Sequence, residues 1–147
     1  MIQKLNVNDI DAIYEVEKAS FKKPWEKSVI EGTVKQKSYC FFGVFNDDEI
    51  CGYSSLTIVA GECYVNRIAV KNEHRKKGYA SELFSAMIDY CIEKNAEFIS
   101  LEVRVSNTPA INLYKKFGLE AVGERRNFYD DPVENAAIMT RFFKTQN

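Results

Sequence analysis

The sequence predicts a mixed α/β fold in which one seven-stranded, mostly antiparallel sheet carries about four helices. Short runs that alternate between apolar and polar residues indicate strands, and apolar residues at intervals of three and four indicate helices. Turn-forming clusters join strands of the first half as hairpins, whereas a strand, a helix and a strand follow one another in the middle. We expect a single domain over residues 1–147, because 46% of the chain is apolar.

The first half divides into one strand, two helices and three strands. The strand is predicted over residues 1–6, the helices over 8–21 and 24–36, and the three strands within 38–70. The first helix follows an Asn that can act as its N-cap, and Pro24 lies near the start of the second, weaker one. The turn-forming residues 46–49 and Gly61 mark the reversals between the strands.

The second half begins with a long helix from Gly78 to about Asn95. Its apolar stripe comprises Leu83, Phe84, Met87, Ile88, Cys91 and Ile92. A strand follows over residues 97–105, and a helix over 107–118 has a capping Asn107 or Thr108, Pro109 in its first turn and Gly118 at its end. Two strands, 119–129 and 135–143, close the fold. Alternation along 97–105 turns Glu102 away from the fully apolar face.

Composition excludes several classes of protein. A net charge of −1, with both signs interleaved, lacks the basic field of a nucleic-acid binder. There is neither a bilayer-spanning apolar run nor a signal peptide, so we expect a cytoplasmic protein that does not contact membranes. The four cysteines lie in apolar runs without metal-ligand spacing, which indicates buried reduced thiols and no metal. We expect the single His74 to lie on the surface.

The segment EHRKKGYASELF, residues 73–84, places basic residues and Gly78 directly before a helix and after a strand. The first N–H groups of a helix have no internal partner and carry partial positive charge, so such a turn can hold an anion such as a pyrophosphate. Gly78 and Ala80 keep side chains out of its way. On charge alone, a solvated basic loop that binds nothing is the preferred interpretation of these residues.

Longer motifs favour the anion site. IAVKNEHRKKGYASELF resembles the signature of the GCN5-related N-acetyltransferases, whose RxxGxA stands here at residues 75–80, and LEVRVSNTPAINLYKKFGLEAVGERRNFY is similar to the ribosomal-protein-alanine N-acetyltransferases of the RimI type. The resemblance covers nearly the whole chain. It implies that acetyl-CoA lies at the central strand-helix crossover. The residues that it implies for cofactor binding are Ile68, Ala69, Val70, Arg75, Lys76, Lys77, Gly78, Tyr79, Ala80, Ser81 and Asn107.

The resemblance also implies two proton-transfer residues. Glu102 would take a proton from the attacking amine, and Tyr114 would give one to the leaving thiolate. Tyr114 lies two turns after Asn107, so both can share one helix face. Without the motif, an exposed strand Glu paired with Arg104 or a Lys, and a core Tyr, would be the simpler interpretations.

The activity that the resemblance implies is direct acetyl transfer to a protein N-terminus, most of all the N-terminal alanine of the eighteenth small-subunit ribosomal protein. A small-molecule amine as acceptor, or a CoA-binding module without turnover, are the alternatives. Trp25 and Tyr129 resemble walls of the peptide groove but could equally be core or rim aromatics. Asn135 stands where the family more often has a carboxylate. We expect a monomer or a weak homodimer.

Overall fold

A computed structural model describes residues 1–143 as seven strands in one sheet of order β1-β2-β3-β4-β5-β7-β6, with helices on both faces. The strands are β1 (Ile2–Lys4), β2 (Tyr39–Asn46), β3 (Glu49–Val59), β4 (Glu62–Val70), β5 (Phe98–Arg104), β6 (Glu120–Tyr129) and β7 (Glu134–Phe142). The helices are α1 (Ile10–Ser20), α2 (Lys27–Val34), α3 (Tyr79–Glu93) and α4 (Thr108–Lys116). The predicted element order is confirmed.

The pairing of the strands is also as predicted. Every neighbouring pair in the sheet is antiparallel except β4 and β5, which the crossover helix α3 joins in parallel. Both predicted reversals hold: Asn46 pairs with Glu49, and Gly61 takes a φ of +81°. In α4 the Asn107 side chain accepts a hydrogen bond from the Ala110 N–H at 3.3 Å, so it is the cap.

Two cores flank the sheet. On one face α3 buries Leu83, Phe84 and Met87 against β2, β3 and β5. On the other face α1 and α2 bury Ile13 and Ile30 over β2 and β3. All four cysteines are buried and free, as predicted. No helix within residues 1–143 is both long and apolar enough to cross a membrane.

Two expectations about exposure were wrong. His74 is only 7% exposed, because the 3-10 turn Asn72–His74 tucks its ring 6.2 Å from that of Tyr79, with Nε2 at 3.1 Å from a Glu49 carboxylate oxygen. Ile92 is 54% exposed although its neighbour Cys91 is fully buried, so Ile92 lies at the solvent edge of the apolar stripe.

Candidate active site

The strands β4 and β5 separate halfway along their length. They pair only from Glu62 with Phe98 to Tyr64 with Ser100. Beyond that point β4 runs on to Val70 and β5 to Arg104 without pairing to each other. A wedge-shaped gap therefore opens in the middle of the sheet, at the carboxyl ends of the two crossover strands, where ligands of α/β sheets bind.

A β-bulge at Asn66 determines which side chains enter the gap. Opposite β3, Arg67 pairs with Ser55 and Val65 with Leu56, so Asn66 is an extra residue on β4. The bulge reverses the alternation of the strand, since Val65 and Ile68 pack on the same core while Ala69 faces the other. As a result Arg67 points towards α1 and Ile68 towards α3 and α4.

The end of β4 presents unpaired backbone groups to the gap. The Lys71 N–H donates to the Cys51 carbonyl at 2.8 Å, so Gly52 and Val70, which are register partners, form a non-hydrogen-bonded pair. The N–H and C=O of Val70 consequently point away from β3 and towards the gap. Its carbonyl accepts a hydrogen bond from Arg75 Nε at 3.2 Å, and the N–H faces the opening.

Residues 76–81, in the turn after β4 and at the start of α3, form a concave set of backbone N–H donors, the donor ring. No N–H group of residues 76–81 donates to an acceptor within residues 1–143, and the first bond of α3 runs from the Glu82 N–H to the Gly78 carbonyl at 3.1 Å. Lys76 and Gly78 adopt φ values of +63° and +83°. A Cβ at Gly78 would meet nothing within 4 Å, so its left-handed backbone, and not lack of space, calls for glycine. The predicted turn is thus a helix start whose backbone donors are free to bind an anion.

Three pockets form one continuous cleft through the gap. The first, about 310 Å³, lies at the donor ring. The second, about 560 Å³, shares Val70, Ala80 and Leu113 with the first. The third, also about 560 Å³, shares Ile68, Asn107 and Tyr114 with the second and opens on the α1 side of the sheet. An extended ligand that is anchored at the donor ring can therefore reach the opposite face.

Glu102 and Tyr114 meet in the third pocket, together with Asn107. Tyr114 lies on α4, is buried and packs its ring 5.2 Å from that of Phe84. Burial, with a smaller effect of Tyr129, raises the pKa of Tyr114 to about 12, so the phenol stays protonated at neutral pH. Glu102 faces the α1 side, as predicted, but its carboxylate pairs with Arg125 at 2.9 Å and not with Arg104.

A buried ion pair builds the wall opposite Glu102. Glu17 of α1 is fully buried and accepts hydrogen bonds from the Tyr53 hydroxyl and from the Trp25 N–H. Arg67 lies at 3.2 Å from both Glu17 oxygens, and its guanidinium is 4.0 Å from the Phe21 ring centroid and 4.5 Å from that of Trp25. Trp25 lines the third pocket, and its contacts with Glu17 and Arg67 hold it in place.

Comparison with known proteins agrees with this geometry. Residues 10–119 match the model of the Acetyltransferase (GNAT) family. The chain belongs to this family. A protein of Bacillus subtilis that carries the name "Putative ribosomal protein bS18-alanine N-acetyltransferase" is 39% identical over 94% of this chain and 92% of its own length. An uncharacterized N-acetyltransferase of Methanocaldococcus jannaschii is 31% identical over 96% and 90%.

A solved N-acetyltransferase structure has the same fold. The crystal structure of the ribosomal-protein-S18-alanine N-acetyltransferase of Escherichia coli superimposes with a TM-score of 0.92 at 26% identity, covering 100% of this chain and 96% of that one. The mixed fold expected from the GNAT resemblance is confirmed, and the chain is an acetyltransferase.

The turn between β6 and β7 forms the other wall of the GNAT cleft. Arg104 donates to the carbonyls of Asp130 and Pro132 at 2.8 and 2.9 Å, and it lies 4.5 Å from the Tyr129 ring centroid. This places Tyr129 in the third pocket. Asn135 bonds within the hairpin, to the Asn127 N–H at 2.9 Å and to Glu124 at 3.1 Å, and it lines none of the three pockets.

Sequence reasoning missed the charged residues that hold this GNAT site together. Glu17 lies within the apolar stripe of α1, which is an unusual place for a carboxylate and was a usable signal. No sequence signal indicated the roles of Arg67, Arg104 and Arg125, because each contacts residues that are remote in the chain. The bulge at Asn66 is equally silent in the sequence.

Proposed function

We propose that this acetyltransferase moves the acetyl group of acetyl-CoA directly to the α-amino group of a protein, and that its acceptor is the N-terminal alanine of ribosomal protein bS18. A single domain over residues 1–147, in the cytoplasm, carries the activity. One observation carries the proposal: Glu102 and Tyr114 line the same pocket, at the point where the cleft from the donor ring crosses the sheet. One acid and one base therefore flank a segment of the cleft that both ligands can share.

The cofactor side is assigned to the cleft residues that precede this point. The N–H groups of residues 76–81 suit a pyrophosphate, with Arg75, Lys76 and Lys77 adding charge. The free edge of Ile68, Ala69 and Val70 suits an extended amide-bearing arm, which can pair with it as a strand would. Acetyl-CoA supplies the acetyl group as a thioester, whose carbonyl oxygen the Val70 N–H can stabilise.

Protons move at both the nitrogen and the sulfur during the transfer. An α-amino group has a pKa of about 7.7 to 8.0, so much of it is protonated at neutral pH and must lose a proton to attack. Glu102 accepts that proton, the C–N bond forms as the C–S bond breaks, and the Tyr114 hydroxyl donates a proton to the sulfur. On becoming an amide the nitrogen loses its second proton, and a proton returns through solvent to the Tyr114 oxygen. The pKa of Tyr114, raised to about 12, supports this donor role, because the phenol still carries its proton above pH of about 8, where most of the amine is free.

The acceptor side supports a peptide terminus. Phe21 and Trp25 on one wall and Phe128 and Tyr129 on the other enclose the third pocket, which a further pocket of about 520 Å³ prolongs outwards between Lys22 and Asp131. A chain can leave the site along this extension. The names of the Bacillus and Escherichia relatives point to bS18 as the protein that supplies it.

A decisive assay measures thiol release from acetyl-CoA. A peptide with the N-terminal sequence of bS18 should be turned over, whereas the same peptide with a blocked terminus and a panel of small amines should not. Turnover of a small amine alone would support the proposed acetyl transfer but reject the bS18 terminus as the acceptor. Absence of all turnover, with tight CoA binding, would favour a binding module.

The roles of the two residues need separate variants. Glu102→Gln and Tyr114→Phe should each lower kcat by about a hundredfold or more while acetyl-CoA binding by calorimetry stays within about twofold. Full activity in either variant would reject the role of that residue without rejecting the family. Glu124→Gln, on the exposed strand β6 two strands away from Glu102, is a matched control for loss of a carboxylate.

A further inference from the structure

The carboxylate of Glu102 has one ionic contact within residues 1–143. Arg125 of β6 donates from Nε to Oε2 at 2.9 Å. Glu102 Oε1 accepts no hydrogen bond from these residues, and the carboxylate lines the third pocket. The side chain is thus held by one oxygen and open at the other.

Arg125 has to cross a whole strand to make this contact. It lies on β6 and Glu102 on β5, with β7 between them. Neighbouring strands are about 4.8 Å apart, so the two backbones are about 10 Å apart. Ala136 of β7 is the register partner of both Arg104 and Arg125, and it is fully buried. A methyl group at this position leaves room for the Arg125 side chain to lie across the sheet.

Other cations around Glu102 are already engaged. Arg104 lies two residues along β5. Its guanidinium donates hydrogen bonds to the carbonyls of Asp130 and Pro132 and to the Glu134 carboxylate. Arg67 is committed to Glu17. Of the cations on the elements packed around this carboxylate, Arg125 alone contacts Glu102 within residues 1–143. The arrangement therefore assigns the orientation of this carboxylate to a single side chain.

Stability does not account for the pair. The Arg125 side chain is 56% exposed and that of Glu102 is 32% exposed, and ion pairs at such positions contribute little to folding. Holding a carboxylate still at the crossing point of a cleft has a direct consequence for proton transfer, since the rate falls steeply when the base is misplaced. The contact is thus better explained by chemistry than by folding.

We propose that Arg125 is a positioning residue for the acetyl transfer, which binds Glu102 through Oε2 and keeps Oε1 directed at the incoming amine. The inference rests on the proposed role of Glu102 as the base. During transfer the proton passes from the amine nitrogen to Oε1. Arg125 keeps its own proton throughout, because a guanidinium does not titrate in proteins.

A double-mutant cycle on the full chain tests the assignment. Arg125→Ala should lower kcat with the bS18 peptide by about tenfold to a hundredfold. The KM for acetyl-CoA and the melting temperature should stay unchanged, and Arg125→Lys should restore part of the rate, because an ammonium keeps one donor in reach. In a Glu102→Gln background, removal of Arg125 should cost almost nothing further. Arg126→Ala is the matched control, because Arg126 is exposed and pairs with no residue of the range 1–143.

Each result bears on one claim. An unchanged or higher rate in Arg125→Ala, or an equal loss in both backgrounds, would overturn the positioning role. If Glu102→Gln has no measurable rate, the cycle cannot be completed, and a crystal structure of Arg125→Ala takes its place. A displaced Glu102 side chain in that structure would support the assignment. An unmoved one would overturn it. Full activity of Glu102→Gln by itself would instead reject the proposed base, which keeps the two failures distinct.

Discussion

The buried carboxylate of Glu17 is the most informative place to perturb this protein. Glu17→Gln keeps the shape of the side chain and removes its charge. The amide can still accept from the Trp25 N–H and donate to the Tyr53 oxygen, but it can no longer pair with Arg67, whose side chain is 22% exposed. The variant therefore leaves Arg67 without its counter-charge, next to Phe21 and Trp25 in the wall of the third pocket.

The expected loss follows from these surroundings. Removing one member of a buried ion pair costs about 3 to 5 kcal/mol. Because Arg67 keeps some solvent and two aromatic faces, we expect about 3 kcal/mol, the lower end. Unfolding entropy of about 2.1 cal/mol/K per residue gives about 0.3 kcal/mol/K for a chain of 147 residues, so the melting temperature should fall by about 10 °C.

Chemical denaturation and peptide kinetics together provide the assay. The free energy of unfolding should fall, and the KM for the peptide should rise more than the KM for acetyl-CoA, because Trp25 lines the acceptor pocket. Glu31→Gln on α2 is the control, since this glutamate is exposed and bonds with no described side chain. A loss below about 1 kcal/mol, typical of surface pairs, would refute the reasoning.

Two further predictions concern backbone approach and pH. Gly52→Ala would place a Cβ 2.6 Å from the Ala69 carbonyl oxygen, so unfolding should cost about 1 to 3 kcal/mol less and the KM for acetyl-CoA should rise; Gly32→Ala, with nothing within 4 Å, should stabilise instead. Denaturation that ranks the two variants equally would contradict this. Hydrogen bonds from Ser106 chiefly, and then from Arg104, lower the pKa of Glu134 from its ordinary 4.5. Its stabilising effect is therefore present above that value and lost as the pH falls through the lower folded pKa. The melting-temperature gap between the parent and Glu134→Gln should close over that interval, and a constant gap would contradict the linkage.

Local patterns predicted the elements of this fold because their causes are local. Periodicity located all seven strands and all four helices within a few residues, and the cap at Asn107 and the turn at Gly61 depend only on near neighbours. Exposure was predicted less well. His74 was expected to be exposed and is buried, whereas Ile92 was assigned to the apolar stripe and is exposed. Burial is decided by elements that are distant in the chain.

The candidate site divides in the same way. The donor ring at residues 76–81 could be predicted because a strand, a basic turn and a helix start are consecutive in the chain. The gap between β4 and β5 could not, since it needs the two strands to stop pairing after Tyr64 and the bulge at Asn66 to reverse one of them.

The sequence by itself determined the order of the elements, and it predicted the anion-binding turn and, through family motifs, the pair Glu102 and Tyr114. Only the tertiary structure decided what surrounds that pair: Arg125 reaching over β7, and Glu17 and Arg67 beneath the aromatic wall. The physical reason is range. Helix starts and strand alternation are set by residues a few positions apart, whereas an ion pair depends on side chains that only packing brings within about 3 Å.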